Sequence, residues 1–506
     1  MEKTILKICM QKGFLLDKEM LCLFSKLDED NITKLIEILS NLQIKEKIIT
    51  KTLFSKHVQK IKTLAGTNTI IENIFFELGY SRIEIEKKTE AKELINENKL
   101  KLISSPAIAP KKVEVSDFVK HFRARYNQIK SILQEKELDN LISLRKISNK
   151  KENYSVIVFI LDKKMTKNKN ILLEVEDPTG HASILINKSK EELYNKAKDL
   201  LLDDIVAFKV AGNSELLFAN EIIFPDTYLS EKKVYERDEW VAFTSDVHFG
   251  SSMFLKDNFS KFIKWLNCEE GDDNQKQIAK NIKYLFLVGD NIDGIGVYPD
   301  QEKLLLCKDI RDQYDGLAEL LNCIRKDINI IMCPGQHDGV RVAEPQPIVD
   351  EKWATKLHQI KNLLLVPNPS LIEIDGGFRI LMYHGASMHG IINEIEDLRL
   401  NRGHDHPTKV VKEMLKRRHL APSHSSTVYI PNEKEDPLVI QNVPDIIATG
   451  DQHKSEISLY NNILLIASSC WQSKTPFEEK VGNNPDPCKV PLFNLRTREI
   501  KILDFS

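Results

Sequence analysis

The chain has few cysteines and no pattern among them. The eight in 506 residues, at positions 9, 22, 268, 307, 323, 333, 470 and 488, include no Cys-x-x-Cys pair and no regular interval. That argues against a zinc ribbon or a disulfide framework, and they read as reduced thiols of a cytoplasmic protein. Long apolar runs are also missing. No stretch approaches the roughly 18 residues that a membrane helix needs, and the N-terminus lacks the apolar core of a secretion signal, so no membrane partner is expected. An excess of one charge is absent too. With 72 Lys and Arg against 74 Asp and Glu, the formal net charge is −2; any affinity for nucleic acid has to arise from a local patch. What is present is a globular mixture, 42% apolar and 29% charged, spread over a length that exceeds one hydrophobic core.

Against that background one pattern recurs. A β-prone apolar run stops on a turn that holds carboxylate, amide or imidazole side chains. Phe243-Thr244-Ser245 ends on Asp246-Val247-His248. Tyr284 to Val288 runs into Gly289-Asp290-Asn291-Ile292-Asp293, and Ile328 to Cys333 into Pro334-Gly335-Gln336-His337-Asp338. Phe378 to Tyr383 ends on His384-Gly385, and Pro444 to Thr449 on Gly450-Asp451-Gln452-His453. One such turn is ordinary loop chemistry. A set of them is not, because open sheets gather ligands beyond the carboxyl ends of their strands.

The donors divide between two divalent ions. Asp246, His248 and His453 would hold the first, Asp290 would bridge, and Gln336, His384 and Asp451 would hold the second. Mixed carboxylate and imidazole donors suit manganese, iron or zinc, and the oxygen-rich half favours manganese. Two such ions can activate water and clamp a phosphate during in-line displacement. His337 stands beside a ligand without being needed as one and is assigned to the leaving oxygen. Asp293 and Asp338 are placed behind the ligands, orienting imidazoles or His337. Gly403-His404-Asp405-His406 offers a competing metal-like turn. It is set aside because no apolar strand precedes it and Pro407 opens a helix at once.

The expected fold class is α/β in several domains. Residues 1–80 are expected to form a small helical domain, with Asn31 capping a segment where Ile32, Leu35, Ile36, Leu39 and Leu42 recur at helical spacing. Residues 81–114 turn rich in Lys and Glu and end in Ser104-Ser105-Pro106-Ala107-Ile108-Ala109-Pro110, a linker composition. Residues 115–228 open with an amphipathic helix that sets Phe118, Phe122, Ile129 and Leu133 on one face and Arg123, Arg125 and Lys130 off it. They continue as short strands with a helix after the third, the order of an OB-fold β-barrel. Such barrels bind single-stranded nucleic acid on aromatic platforms, but these strands are aliphatic, and a structural role is as well supported. Residues 229–506 alternate strands and helices, with helices over 256–266, 303–326 and 407–419. The last carries Lys409, Lys412, Lys416, Arg417 and Arg418, which suits a DNA backbone. A solvated helix face explains them nearly as well.

Asp246-Val247-His248, Gly289-Asp290-x-x-Asp293, Gly335-Gln336-His337-Asp338, His384-Gly385 and Gly450-Asp451-Gln452-His453 resemble, in order and spacing, the motifs of calcineurin-like metallophosphoesterases. The flanks narrow the resemblance. Glu176-Asp177-Pro178-Thr179-Gly180 lies inside the barrel segment and Leu415-Lys416-Arg417-Arg418-His419-Leu420-Ala421-Pro422 after the fourth motif. Trp471-Gln472-Ser473-Lys474-Thr475-Pro476-Phe477 and Lys489-Val490-Pro491 follow near the C-terminus. With these, residues 115–506 resemble the small subunit of archaeal family D DNA polymerase.

The resemblance implies a calcineurin-like phosphoesterase domain over 229–506 that acts as a metal-dependent 3′ to 5′ exonuclease on mispaired ends. It implies as partners a separate large catalytic subunit, DNA and, indirectly, a sliding clamp. Two positions depart from the family pattern. The third motif of the family reads Gly-Asn-His-Asp, and the fifth Gly-His-x-His; here position 336 is Gln and position 451 is Asp. Both departures fall on the second ion, so one ordinary and one altered ion position are expected. A second reading therefore stands beside the first, an accessory structural subunit with a weakened phosphoesterase site. A stand-alone phosphatase is opposed by the upstream barrel and the polymerase-like flanks.

Overall fold

The computed structural model describes residues 100–104 and 112–506, together with scattered positions between 5 and 49. The chain divides into two units, Met1–Lys92 and Glu93–Ser506. In the first unit β1 (Leu15–Leu16) and β2 (Ile48–Ile49) pair in parallel. The helical domain expected over 1–80 falls mainly outside the described residues; Ile32 and Ile36 are helical and buried. Most of the expected linker also lies outside them. Within it, however, Lys101–Ser104 is a strand, β3, because Leu102 and Ile103 supply the β-branched and apolar content that the surrounding Lys and Glu lack.

Helix α1 (Val115–Leu133) starts at a reciprocal cap between Glu114 and Asp117. Its Tyr126, Ile129 and Leu133 pack on Ile157, Phe159, Ile205 and Ala207 of the strands that follow. Arg125 corrects the expected face. It is buried, with Nε 2.6 Å from Asp436 and Nη1 donating to the Pro422 carbonyl at 3.0 Å. A guanidinium tolerates that depth only when paired and hydrogen-bonded.

Strands β4 (Glu152–Met165), β5 (Ile171–Asp177), β6 (Gly180–Ile186), β7 (Ile205–Gly212) and β8 (Leu217–Ile223) close a barrel in the order β4-β5-β6-β8-β7. Helix α2 (Glu191–Lys198) falls between β6 and β7. Alternate residues turn inward, Leu173 with Val175, Ile184 with Ile186, and Val206 with Phe208 and Val210, as a period of two requires. The Asp177-Pro178-Thr179-Gly180 turn is tied by Asp177 Oδ1, which accepts from the backbone of Thr179 at 2.7 Å and of Gly180 at 3.0 Å.

Two sheets make up the rest. The first holds β9 (Trp240–Thr244), β10 (Ile282–Val288), β11 (Asn329–Cys333), β12 (Leu363–Leu365), β18 (Lys489–Asn494) and β19 (Ile500–Asp504), in the order β12-β11-β10-β9-β18-β19. The second holds β13 (Ser370–Glu373), β14 (Arg379–Met382), β15 (Ile446–Thr449), β16 (Glu456–Tyr460) and β17 (Ile463–Ala467), in the order β16-β17-β15-β14-β13-β3. β9 to β12 run parallel, and so do β14, β15 and β17. Their apolar runs are continuous because both faces are covered. Tyr284, Phe286 and Val288 point between the sheets, while Leu285 and Leu287 point out to helices α3 (Lys256–Leu266) and α4 (Ile310–Asn322). The outer face of the second sheet is covered by α5 (Pro407–Arg417), through Val410, Val411, Met414 and Leu415.

Two helix ends differ from expectation. α4 begins at Ile310, not 303, because the Asp309 side chain caps Arg311 N at 2.7 Å. α5 stops at Arg417 because Arg418 turns left-handed, with φ 53°. Among the described residues no helix is long and apolar enough to cross a membrane.

The sandwich interior dominates stability. Phe243 and Phe286 stack there with centroids 5.4 Å apart, so Phe286→Ala is expected to cost roughly 3–5 kcal/mol, read as a lower denaturation midpoint of the full chain in urea.

Candidate metal centre

Every donor-bearing turn leaves the carboxyl end of a strand. Asp246 and His248 follow β9, Asp290 and Asp293 follow β10, Gln336, His337 and Asp338 follow β11, His384 follows β14, and Asp451 and His453 follow β15. The turns are tight enough to force unusual backbone. Asp246, His248, Asp290, Asp451 and His453 all take positive φ, between 47° and 68°. Asp and His tolerate that region better than most residues, yet each costs on the order of 1 kcal/mol, and such strain gathers at sites that need it. The turns also interlock. A Cβ on Gly289 would stand 2.2 Å from His384 Nδ1, and one on Gly335 2.2 Å from Asp290 Oδ1.

His248 and His453 meet head to head. Their Nε2 atoms lie 3.2 Å apart, and Asp246 Oδ1 is 3.4 Å from the second and 3.9 Å from the first. The other ring nitrogens face carboxylates: His248 Nδ1 is 3.2 Å from Asp293 Oδ1, and His453 Nδ1 is 2.9 Å from Glu478 Oε1. Those carboxylates draw the proton to Nδ1 and turn the Nε2 lone pairs toward each other and toward Asp246, an arrangement that repels itself unless a cation is shared.

His384 behaves in the same way. Its Nδ1 lies 2.7 Å from the Val288 carbonyl, which aims the buried Nε2 at Asp290 Oδ2, 3.2 Å away. That Nε2 and the buried Gln336 Oε1 have no hydrogen-bond partner. The donor atoms of Asp246, His248 and His453, and those of Asp246, Asp290 and His384, each fall within 4.8 Å of one another. These residues fit divalent ions. Asp246 is common to both groups, so it shares the bridging position expected of Asp290.

The two departures from the family pattern touch each other. Gln336 Nε2 donates to Asp451 Oδ1 at 2.8 Å, and Gln452 Nε2 donates to Asp451 Oδ2 at 2.6 Å. Gln452 is held in turn by His404, whose Nδ1 is 2.9 Å from its Oε1. The turn set aside on sequence grounds therefore abuts the site through Gln452 and adds no donor to either group.

The electrostatics call for positive charge. Burial opposes protonation of His384, but the carboxylates of Asp290, Asp246 and Asp451 raise it well above the ordinary imidazole range. Burial alone would raise Asp290; His384 and His337 pull it far below the usual carboxylate range. Asp338 goes the other way, pushed up to about 6 by burial and by Asp290. It accepts from Gly335 N and Asn291 N and from the Tyr314 hydroxyl, and so ties the third turn to the second.

Among residues that sequence reading missed, Glu478 matters most. It is the third residue of α6 (Pro476–Val481), and Thr475 and Glu478 cap each other there. The Thr-x-x-Glu spacing of a capping box was visible as a helix start, though its second task, orienting His453, was not. The basic helix α5 is a correction. Arg417 is buried against Asp204 at 2.9 Å, and Arg418 donates to the Ile440 carbonyl at 2.6 Å. They tie the sandwich to the barrel and to the 440 loop, since guanidinium groups at that depth must be fully paired. Lys416 is half-buried over the Phe224 ring; Lys409 and Lys412 are exposed.

Fold and turns together place the chain in a class of polymerase accessory proteins: residues 241–458 match the family described as the B subunit of DNA polymerases alpha and epsilon. The DNA polymerase II small subunit of Methanothermobacter thermautotrophicus is 37% identical over 394 residues, 78% of this chain and 80% of that one. The corresponding subunit of Pyrococcus furiosus is 35% identical over 78% of this chain and 64% of its own. A solved archaeal phosphodiesterase covers 52% of this chain at a TM-score of 0.27 and 13% identity, too slight a likeness to argue from. The chain belongs to the family of archaeal DNA polymerase II small subunits.

Two outcomes follow for the centre. Glu478→Gln is expected to weaken manganese binding roughly 10–100-fold, measured by equilibrium dialysis, while His404→Ala leaves it within a few fold. Glu344 accepts from the Tyr383 hydroxyl beside His384, and burial raises it from 4.5 to about 7. Its protonated form is the one the fold favours, so that contribution is complete below pH 4.5 and lost as pH rises through about 7. Glu344→Gln should therefore gain on the wild type by on the order of 1–3 kcal/mol between pH 4 and pH 8, read from paired urea titrations.

Proposed function

We propose that this chain is the proofreading subunit of its polymerase, a metal-dependent 3′ to 5′ exonuclease that also serves as scaffold for the large catalytic subunit. Asp246, His248, His453, Asp290, His384, Gln336 and Asp451 are read as holding two divalent ions, manganese by preference. The supporting observation is the confrontation of His248 Nε2 and His453 Nε2 at 3.2 Å beside Asp246, with His337 next to it. We read residues 115–228 as an OB-fold domain with its preceding helix, on the strand order of the barrel, and residues 229–506 as a calcineurin-like phosphoesterase domain. The partners are then the large subunit, DNA and, through the large subunit, the sliding clamp, in the cytoplasm.

Bound divalent ions would supply the charge that acidifies a water and neutralises the phosphate. The chain's own part is positioning. His337 Nδ1 is fixed at 2.8 Å from the Asp293 carbonyl, so its Nε2 faces the donors, 3.8 Å from Asp290 Oδ2. Asp290 Oδ1 accepts from His337 N at 2.9 Å, which locks base and donor together. Water adds to phosphorus, the bond to the 3′ oxygen of the preceding nucleotide breaks, and that oxygen takes its proton from the His337 side. A nucleoside 5′-monophosphate leaves.

One observation favours a second reading, the accessory subunit with a weakened site. Both Asp451 oxygens are occupied by amides, those of Gln336 and Gln452. The readings separate on single-stranded and mispaired 3′ ends with manganese, with the chain alone and joined to its large subunit. Under the first, wild type releases nucleotides and His337→Ala slows it about 100-fold or more. Under the second, wild type is inert, and Gln336→Asn combined with Asp451→His gains activity.

A further inference from the structure

Tyr298 and Phe477 stand at the edge of the donor cluster, and no step of the proposed hydrolysis uses them. Tyr298 lies on the loop that leaves Asp293, with its ring centroid 6.1 Å from that of His337. Phe477 is the residue before Glu478, the carboxylate that faces His453. The two aromatic rings face each other with centroids 6.4 Å apart and planes 27° from parallel.

Both rings are firmly mounted. Buried Gln301 donates Nε2 to the Asp293 carbonyl at 2.7 Å and accepts from Val297 N at 2.9 Å, closing the Tyr298 loop on itself. Gly294, with φ 72°, lets that loop lie directly on the His337 turn; a Cβ there would come 2.2 Å from the His337 carbonyl. Phe477 is set by the mutual cap of Thr475 and Glu478. Yet Phe477 is 60% exposed. A ring held rigidly but left in water contributes little burial to folding and is free to receive something flat.

We propose that Tyr298 and Phe477 form a stacking subsite for an unpaired nucleobase at the 3′ end of a single DNA strand, whose phosphate lies on the donor cluster. The inference rests on the nuclease reading for the role of the cluster, not for the rings themselves. Stacking suits a nuclease that must accept any sequence, because every base has a π face. Two rings about 6.8 Å apart, two stacking steps, hold a third between them, and the Tyr298–Phe477 spacing is close to that. The subsite also supplies selectivity. A paired terminal base stays in its duplex, whereas a mispaired one unstacks at lower cost and can reach the rings.

The test uses the full chain with its large subunit and single-stranded oligonucleotides carrying 2-aminopurine, whose emission falls when it stacks. Binding is read with calcium in place of manganese. Terminal 2-aminopurine should be quenched, and the same base ten nucleotides inward should not. Phe477→Ala and Tyr298→Ala should remove the quench and weaken binding about tenfold, and Phe477→Trp should restore both. In manganese, the ratio of kcat/KM on an ordinary 3′ end to that on an end with two abasic residues should fall about tenfold in Phe477→Ala. Equal quench at both positions, or an unchanged ratio in both alanine variants, overturns the subsite. If wild type cuts neither end, the nuclease reading fails and the terminal quench alone decides: its presence upholds the subsite and its absence rejects it.

Discussion

The structure depends on groups of like polarity being forced together. Two imidazole lone pairs and several carboxylate oxygens converge at the ends of β9, β10, β14 and β15, and nothing in their own chemistry favours that meeting. The meeting is imposed by the sheets, whose buried apolar runs lock each turn in place and hold five donor residues at positive φ. Carboxylates behind the imidazoles, from Asp293 and Glu478, then decide which nitrogen looks inward. A core rigid enough to hold such a cluster is what makes the site a cation trap rather than a collapsed knot of ion pairs.

Gln336 and Asp451 share this logic. An amide one methylene longer than asparagine reaches across to a carboxylate that is shorter than histidine, and the two meet at 2.8 Å. Each change by itself would leave a gap or an unpaired buried charge; together they satisfy each other. The second ion position is thus altered in a coordinated way, and its affinity competes with an internal hydrogen bond that the first position lacks.

Much of this was legible in the sequence. Strand runs ending on ligand-type residues marked the site because parallel strands deliver their carboxyl ends to one edge. The barrel strands were legible from period two, and α3 from its apolar spacing. What remained hidden depends on three-dimensional neighbours. Nothing local distinguishes Arg417, which neutralises Asp204 in the interior, from Lys412, which stays in solvent, because both lie on one helix and only the partner differs. Glu478 read as a helix cap, and its contact with His453 spans 25 positions. The strand at Lys101–Ser104 was concealed by the charged composition around it, its partner lying more than 250 residues away in β13.

Helix α5 has one end in each of two places. At its C-terminal end Arg417 grips Asp204 of the barrel; at its N-terminal end the turn around His404 touches Gln452, and through it Asp451. Eleven residues of helix span about 16 Å. A stiff rod of that length, fastened at both ends, transmits displacement without slack. Whatever pulls on the barrel, such as a docked subunit or a taut strand, is geared mechanically to the Asp451 side of the donor set and not to the His248 side.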